Sequence, residues 1–181
     1  MPGETPVDRL YREALAVVGA LESQSELSLQ VAAADNLRKS LLLAAASHFE
    51  HRVTSAVAAF VREAARGSVL VEEFVRNKAI ARQYHTWFKW EDNNANQFFG
   101  LFGEGFRSHM VGRVKSREDL RLSVNAFLEL GNERNRLVHQ DYASFALDKT
   151  MDEIYALYKG SFLFVEDVPV ALKECDEATR T

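Results

Sequence analysis

The stretch that decides the fold runs from Leu29 to Ala65 and reads LQVAAADNLRKSLLLAAASHFEHRVTSAVAAFVREAA. It contains neither glycine nor proline, and its large apolar residues recur near the spacing of a helix. Gly67 follows it closely, as glycine does after the last turn of many helices. We therefore predict one long central helix. The presence of only three prolines in the whole chain extends this to an all-α fold.

Amphipathic patterns on both sides of the central helix predict the rest of the fold. Further helices are expected over Val7–Leu21, Val69–Tyr84 and Ser116–Val138, and from Thr150 to an end at Pro169. With short helices between Trp87 and Phe106, the expected architecture is an antiparallel helical bundle of five to six helices. No repeat or linker interrupts the chain, so we expect a single domain over residues 1–181.

The composition is that of a globular protein from a reducing compartment. Hydrophobic residues make up 47% of the 181 residues and charged residues 27%, a balance that supports a packed core. The single cysteine, Cys175, excludes an internal disulfide and a cysteine metal cage. No apolar run reaches the ~20 residues that span a bilayer, and no signal peptide is visible, so we expect a cytoplasmic protein. A net charge of −4 gives no global positive field, so any nucleic acid has to be bound locally.

One charged residue interrupts the apolar stripe of the helix predicted over Ser116–Val138. The stripe is formed by residues at alternating steps of four and three, namely Leu120, Val124, Phe127, Gly131, Arg134 and Val138. A guanidinium on a buried face is costly unless it has a partner, so Arg134 indicates an interface, an ion pair or an anion site. Gly131, one turn earlier, lets another backbone or a ligand come close.

A polar stripe with Asn132, Asn135 and His139 lies beside the first. Asn135 and His139 are four residues apart, so the amide is placed to orient the imidazole. Arg134 and His139 are about 140° apart on an ideal helix, and they converge only if the helix ends or distorts near His139 or a partner chain supplies a second copy. A purely structural alternative stays open, in which Arg134 forms an ion pair with Glu50 and His139 caps the helix C-terminus.

Three segments resemble the RiboL-PSP branch of the HEPN superfamily of ribonucleases. The first is GNERNRLVH over 131–139, in which an arginine, a polar residue, a spacer and a histidine stand near the end of a long helix. The others are ASHFE over 46–50 and NQFFGLFG over 96–103, and the resemblance covers about residues 27–165. The resemblance implies a HEPN-like helical homodimer, with Arg134, Asn135 and His139 as the catalytic residues.

The implied activity is cleavage of RNA without metal or cofactor, at a site shared between two chains. A histidine that titrates near neutrality can move the proton of a ribose 2′-hydroxyl, and a guanidinium can stabilise the phosphate charge. Family members often act as toxins or in phage defence, so a protein antitoxin or other regulator is an expected partner. The alternative is a non-catalytic helical module that dimerises or binds a nucleotide or RNA.

Several other residues are candidates for supporting roles. Glu50 is a candidate partner of Arg134 or His139, or else forms a plain structural ion pair. Candidates for the lining of the cleft are Asn132, Arg136 and Tyr142. Candidates for RNA phosphate binding are the basic residues Arg113, Lys115, Arg117 and Arg121. We expect no metal at His48 and His51, which lack a third ligand, and we expect the aromatic residues between Trp87 and Phe106 to fill the core rather than stack on bases.

Overall fold

A computed structural model describes residues 3–179, and within this range the chain is all-α, with no strand. This confirms the predicted fold class, although the short helices raise the helix count above the expected five to six. The eight α-helices are α1 Pro6–Ser23, α2 Leu27–Ala64, α3 Val69–Val75, α4 Tyr84–Trp87, α5 Asn96–Gly100, α6 Glu104–Ser116, α7 Glu118–His139 and α8 Met151–Thr179. No helix within the described range combines the length and apolar character needed to cross a bilayer.

The first helix begins at a capping box. The Thr5 hydroxyl accepts a hydrogen bond from the backbone N–H of Asp8 at 3.1 Å, and the Asp8 carboxylate accepts one from the N–H of Thr5 at 2.8 Å. Pro6 occupies the first helical position, where its missing N–H leaves no bond unmade. These local preferences explain why α1 starts at Pro6.

The central helix α2 is the predicted long helix, with bounds shifted by two residues at its start and one at its end. Its buried residues, which include Leu42, Phe49, Val53 and Val57, recur at helical spacing. Gly67 follows with φ +82°, a left-handed conformation that favours glycine.

The helix predicted over Val69–Tyr84 is shorter in the structure. After α3 the backbone widens into a π-helical turn over Arg76–Ile80, in which the N–H of Ala81 bonds to the carbonyl of Arg76 at 2.7 Å. The indole of Trp87 donates to the carbonyl oxygen of Ala79 at 3.0 Å. In a continuing α-helix this oxygen would instead accept a hydrogen bond from the backbone N–H four residues later. A buried aromatic residue thus competes with helix propagation, an effect that local periodicity does not encode.

The last helix runs through Pro169 to Thr179, so the prediction that Pro169 ends it is wrong. Proline costs the helix one hydrogen bond, to the carbonyl of Val165. Buried residues nevertheless lie on both sides of Pro169, among them Val168 and Leu172, although Val170 itself is exposed. Burial on both sides of the proline outweighs its local penalty.

The described chain divides into two compact units. The first unit comprises residues up to His48 together with Leu130–Lys159, and the second comprises Phe49–Glu129 together with residues from Gly160 onward. The boundaries fall inside α2, α7 and α8, so each of these helices contributes to both units. The expectation of a single domain over residues 1–181 stays a prediction.

The second unit has an aromatic core. Trp87, Phe88, Phe98 and Phe99 are all buried, and the rings of Phe88 and Phe98 stack with centroids 4.8 Å apart. This confirms that the aromatic segment fills the core.

Aromatic side chains also organise the first unit. The rings of Tyr11 and Tyr155 stack with centroids 3.9 Å apart, and the Tyr155 hydroxyl donates to Asp8 at 2.7 Å. These contacts fasten α1 to the beginning of α8.

Candidate active site at the end of helix α7

Helix α7 carries the Arg134–His139 segment through its last two turns, and His139 is its last residue. Arg134 and Asn135 are half-buried, whereas His139 is exposed. The first part of the predicted apolar stripe is confirmed, since Leu120, Phe127 and Gly131 are buried. The helix therefore presents an arginine at the edge of its buried face and a histidine to solvent.

The end of the stripe was predicted wrongly. Val138 is 45% exposed and Leu137 is fully buried, at 0%. The chain after α7 folds back on the side of Arg136, whose guanidinium lies 5.6 Å from the ring centroid of the buried Phe145. The segment that follows α7, rather than the apolar stripe of the helix, therefore determines which residues of the last turn are buried. For the same reason Arg134 borders the core instead of lying within it.

Asn135 contacts the arginine next to it. The Arg134 guanidinium donates to the amide oxygen of Asn135 through Nη1 at 3.1 Å. His139 makes no hydrogen bond or ion pair within residues 3–179. The expected orientation of His139 by Asn135 is therefore not seen, and the amide instead restrains the guanidinium.

The helix stays regular up to His139, so nothing in α7 brings the arginine and the histidine together. The ideal separation of about 140° around the helix axis therefore applies to Arg134 and His139 of one chain. On such a helix the two side chains leave the axis in directions that differ by more than a third of a turn.

Arg136 makes local contacts that fix its side chain. Its guanidinium donates to both carboxylate oxygens of Glu133, at 3.0 and 3.1 Å, and also lies against the Phe145 ring. Asn132, one residue before Glu133, is half-buried. The role of Arg136 and Asn132 in lining a cleft stays a prediction.

Sequence reasoning missed Lys39, which holds the turn that follows His139. Lys39 lies on α2 and is only 2% exposed. Its ammonium donates to the carbonyl oxygen of Tyr142 at 3.1 Å, forms an ion pair with Asp35 at 2.8 Å, and lies 5.2 Å from the ring centroid of Tyr142. Lys39 stands one turn before the buried Leu42, on the side of α2 that continues through Phe49 and Val53. This position is the signal that could have revealed it, since it parallels the signal given by Arg134.

Asp141 stabilises the same turn from within. Its carboxylate accepts hydrogen bonds from the Ser144 hydroxyl at 2.8 Å and from the Ala143 N–H at 3.3 Å, while its carbonyl accepts from the N–H of Phe145 at 2.9 Å. The bond from Ser144, followed by that from Ala143, lowers the pKa of Asp141. The turn therefore carries a fixed negative charge two residues after His139.

Tyr142 is part of this turn and is exposed along one side. Its carbonyl and ring both contact Lys39, so the tyrosine is anchored although its surface is accessible. Its place three residues beyond the end of α7 keeps it a candidate for the cleft.

Glu50 is half-buried on α2, where its carbonyl accepts a hydrogen bond from the Thr54 hydroxyl at 2.7 Å. Its role as a partner of Arg134 or His139 stays a prediction. His48 has a firm structural contact, since its Nδ1 lies 2.7 Å from the Tyr158 hydroxyl. No group of three metal-ligating side chains occurs within residues 3–179.

Three of the four predicted RNA-binding cations form ion pairs. Arg113 forms two hydrogen bonds with the Asp167 carboxylate, at 2.8 and 2.7 Å, and Arg117 reaches the same carboxylate at 3.2 Å. Arg121 pairs with Glu118 one turn away. Their charges are thus largely balanced within the fold. Lys115 differs, because it is exposed and has no ion-pair partner within the described range.

These features define a class of all-helical proteins in which a restrained arginine and an exposed histidine share the end of a long helix. The model of the RiboL-PSP-HEPN family matches residues 11–174, and the chain belongs to that family. The match extends the resemblance expected over about residues 27–165 toward both ends. No curated protein and no solved structure matches the chain.

Proposed function

We propose that the protein is a metal-independent endoribonuclease whose catalytic histidine is His139. The observation that carries this proposal is the exposed, unpartnered imidazole at the last position of α7, five residues after an arginine restrained by Asn135. Family membership supports it, because HEPN-superfamily proteins are commonly ribonucleases. A free imidazole at a helix end is accessible to a large substrate.

The proposed reaction uses the ribose 2′-hydroxyl as the nucleophile. A neutral imidazole takes the proton of this hydroxyl, the oxygen attacks the adjacent phosphorus, and the bond to the 5′-oxygen breaks. A protonated imidazole gives a proton to the leaving oxygen. The products are a 2′,3′-cyclic phosphate and a 5′-hydroxyl. The Arg134 guanidinium stabilises the negative charge that develops on the phosphoryl oxygens.

We infer that the two proton transfers are divided between two chains. One imidazole cannot hold and lack the proton at once, whereas two copies of His139 can take one role each. The separation of about 140° between Arg134 and His139 on a regular helix supports the same conclusion, since it disfavours a site built from one chain. The active form is then a homodimer with the two Arg134–His139 segments facing each other.

Cleavage of an RNA and of its 2′-deoxy counterpart in the presence of EDTA tests the chemistry. We expect cleavage of the RNA alone, loss of that cleavage in His139→Ala and Arg134→Ala, and 2′,3′-cyclic phosphate ends. The matched controls are His109→Ala and Arg9→Ala, because both side chains are exposed and have no partner within the described residues. Cleavage by His139→Ala at the wild-type rate would overturn the mechanism, and RNA binding without cleavage would support the non-catalytic alternative.

The proposed activity suits a regulated toxin or defence effector, because uncontrolled RNA cleavage stops growth. Induced expression of the wild-type chain is expected to arrest a bacterial host, and expression of His139→Ala is not. Arrest by both would show that the toxicity has another source.

A further inference from the structure

Helix α3 presents its large apolar side chains to solvent. None of its seven residues, all of which the structure describes, is buried. Leu70 is 84% exposed and Phe74 is 67% exposed, and Val71 beside them is exposed as well. Leu70 and Phe74 are four residues apart, and Val71 and Phe74 are three apart, so the three side chains share one side of the helix. These three residues form the α3 ridge.

A glutamate lies on the other side of the same helix. Glu72 is roughly half a turn away from Leu70 and Phe74 around the helix axis. It is half-buried, and its Oε2 lies 3.7 Å from Nε of Arg62 on α2. A helix that only covers a core turns its apolar side inward and its charges outward. The reversed orientation of α3 indicates that its apolar side serves a contact with another molecule.

An apolar hollow of about 380 Å³ lies beside the α3 ridge. Val75 of α3 and Lys78 of the π-helical turn line one side of it, and Phe60, Leu101 and Phe102 line the other. Leu101 is 54% exposed, and the two phenylalanines are half-buried, so this lining is accessible from solvent. The rings of Phe60 and Phe102 are in edge contact, with centroids 6.3 Å apart. A ridge next to a hollow is the surface into which the side chains of another helix pack.

The segment that carries the ridge is positively charged, although the whole chain is negative. Residues 62–82 contain five Lys or Arg residues and three Glu, a net charge of +2, whereas the whole chain carries −4. Arg66, Lys78 and Arg82 are exposed and form no ion pair within residues 3–179. Two of the three glutamates are already paired with arginines of the same segment. The surface therefore favours a partner with negative charge.

A second copy of the chain and a lipid bilayer match this surface less well than a helix does. Two copies in contact through the ridge bring their unpaired cations face to face, which opposes association. An anionic bilayer can cover the ridge, but it has no side chain that fills the hollow. A helix with apolar side chains one turn apart and carboxylates beside them matches the ridge, the hollow and the cations together.

We propose that the α3 ridge and the hollow form a docking surface for an acidic amphipathic helix of a partner protein. The apolar side chains of that helix pack on Leu70 and Phe74 and enter the hollow, and its carboxylates pair with Arg66, Lys78 and Arg82. The surface contains no residue of the Arg134–His139 segment. The proposal therefore does not depend on the ribonuclease activity proposed for that segment.

Selection from a library of displayed helices tests the proposal. Every helix has the same leucines along one side, and each remaining position is Glu or Lys at random. The labelled full chain selects binders, which are then sequenced. We expect the selected helices to be rich in Glu, and to bind about tenfold more tightly than the same helices with Lys, since three exposed ion pairs together give a factor of this order. The net charge of −4 acts against this result, because it attracts Lys-rich helices.

Variants of the ridge and of the cations separate the two parts of the surface. The double variant Leu70→Ser, Phe74→Ser is expected to select no helix, because both side chains that contact the partner are lost. The double variant Lys78→Glu, Arg82→Glu is expected to select Lys-rich helices instead. The matched control is Leu122→Ser, which changes a leucine of α7 that is 55% exposed and should select the same helices as the wild-type chain.

Failure to enrich Glu over the starting library would overturn the proposal. Enrichment that persists in the Leu70→Ser, Phe74→Ser variant would also overturn it, since the helices would then bind elsewhere. Sedimentation of the wild-type chain with phosphatidylserine vesicles, lost in this variant and without selection of any helix, would assign the surface to a bilayer instead. A lower mass of the same variant by light scattering would assign it to a second copy of the chain.

Discussion

At the scale of single residues, the candidate site depends on one buried cation. Lys39 is almost fully covered, yet its ammonium binds a backbone carbonyl in the turn that follows His139. A buried ammonium is tolerated only with well-placed partners, and Asp35 and the carbonyl of Tyr142 are such partners. Lys39 therefore fixes the direction in which the chain leaves α7 and, with it, the surroundings of the imidazole.

Replacement of this lysine tests its positioning role. In Lys39→Met the apolar stem is kept and the ammonium is lost, which leaves the Tyr142 carbonyl without its donor. We expect a fall of about 1 to 3 kcal/mol in the free energy of unfolding in urea. We also expect faster hydrogen exchange at Ser144 and Phe145, whose N–H groups bond within the turn. Lys89→Met, a change at an exposed lysine, is the control. Unchanged exchange at both amides would show that the turn does not need Lys39.

Asp8 is expected to affect how the free energy of unfolding depends on pH in acid. Desolvation alone would raise the pKa of Asp8, but hydrogen bonds from the backbone of Thr5, from Tyr155 and from the Thr5 side chain outweigh it and hold this pKa well below its usual range. A carboxylate with a depressed folded-state pKa stabilises the fold above the unfolded-state pKa, which is about 3.9, and loses that contribution as the pH falls further.

We therefore expect the free energy of unfolding to fall on acidification below about pH 4, and to fall less steeply in Asp8→Asn. Urea unfolding at a series of pH values measures both slopes. Asp92→Asn, which changes an exposed carboxylate with no partner within the described range, should keep the wild-type slope. Equal slopes in the wild-type chain and in Asp8→Asn would contradict the assignment.

At the scale of helices, local patterns predict where most elements start, and long-range contacts decide where several of them end. Thr150 begins α8 as its sequence indicates, because caps are formed by neighbours in the chain. Thr5 caps α1 in the same way, one residue earlier than the predicted start at Val7 would require. Pro169 does not end α8, and the periodic segment after Val75 does not continue as an α-helix. In the first case buried residues, Val168 and Leu172, lie on both sides of the proline, and in the second the buried Trp87 donates to the carbonyl of Ala79 eight residues earlier.

The contact between α6 and α8 is another long-range feature, and it gives a prediction at this scale. Asp167 is 7% exposed and receives hydrogen bonds from Arg113 and Arg117. Asp167→Asn removes the buried carboxylate that Arg113 and Arg117 share and leaves them only their exposed partners, Glu174 and Asp119. We expect a loss of about 2 to 4 kcal/mol in the free energy of unfolding. The matched control is Glu174→Gln, which removes an exposed partner of the same Arg113 and should cost less than about 1 kcal/mol. Similar losses in the two variants would show that burial does not determine the strength of this contact.

At the scale of the whole molecule, the sequence predicts the fold class and the family motif better than the geometry around that motif. The motif of Arg134, Asn135 and His139 is visible in the sequence because it depends on residue type and spacing within one helix. The bond between Arg134 and Asn135, the exposure of Val138 and the role of Lys39 depend on how the chain returns after α7. Periodicity in one helix contains no information on that return.

The proposed two-chain site makes the last prediction, which a mixing experiment tests. Wild-type and His139→Ala chains are unfolded and refolded together in varied proportions, so that dimers form at random. If each cleavage needs one imidazole from each chain, only dimers of two wild-type chains are active, and the rate falls as the square of the wild-type fraction. If each chain cleaves by itself, the rate falls in direct proportion to that fraction. We expect the rate to follow the square of the wild-type fraction, because Arg134 and His139 diverge by about 140° on a helix that remains regular to its end.

Mixing with His109→Ala chains, which keep the motif, should leave the rate unchanged. A linear decrease with His139→Ala, or a monomeric mass by light scattering for the active wild-type protein, would refute the shared site while leaving a single-chain ribonuclease intact.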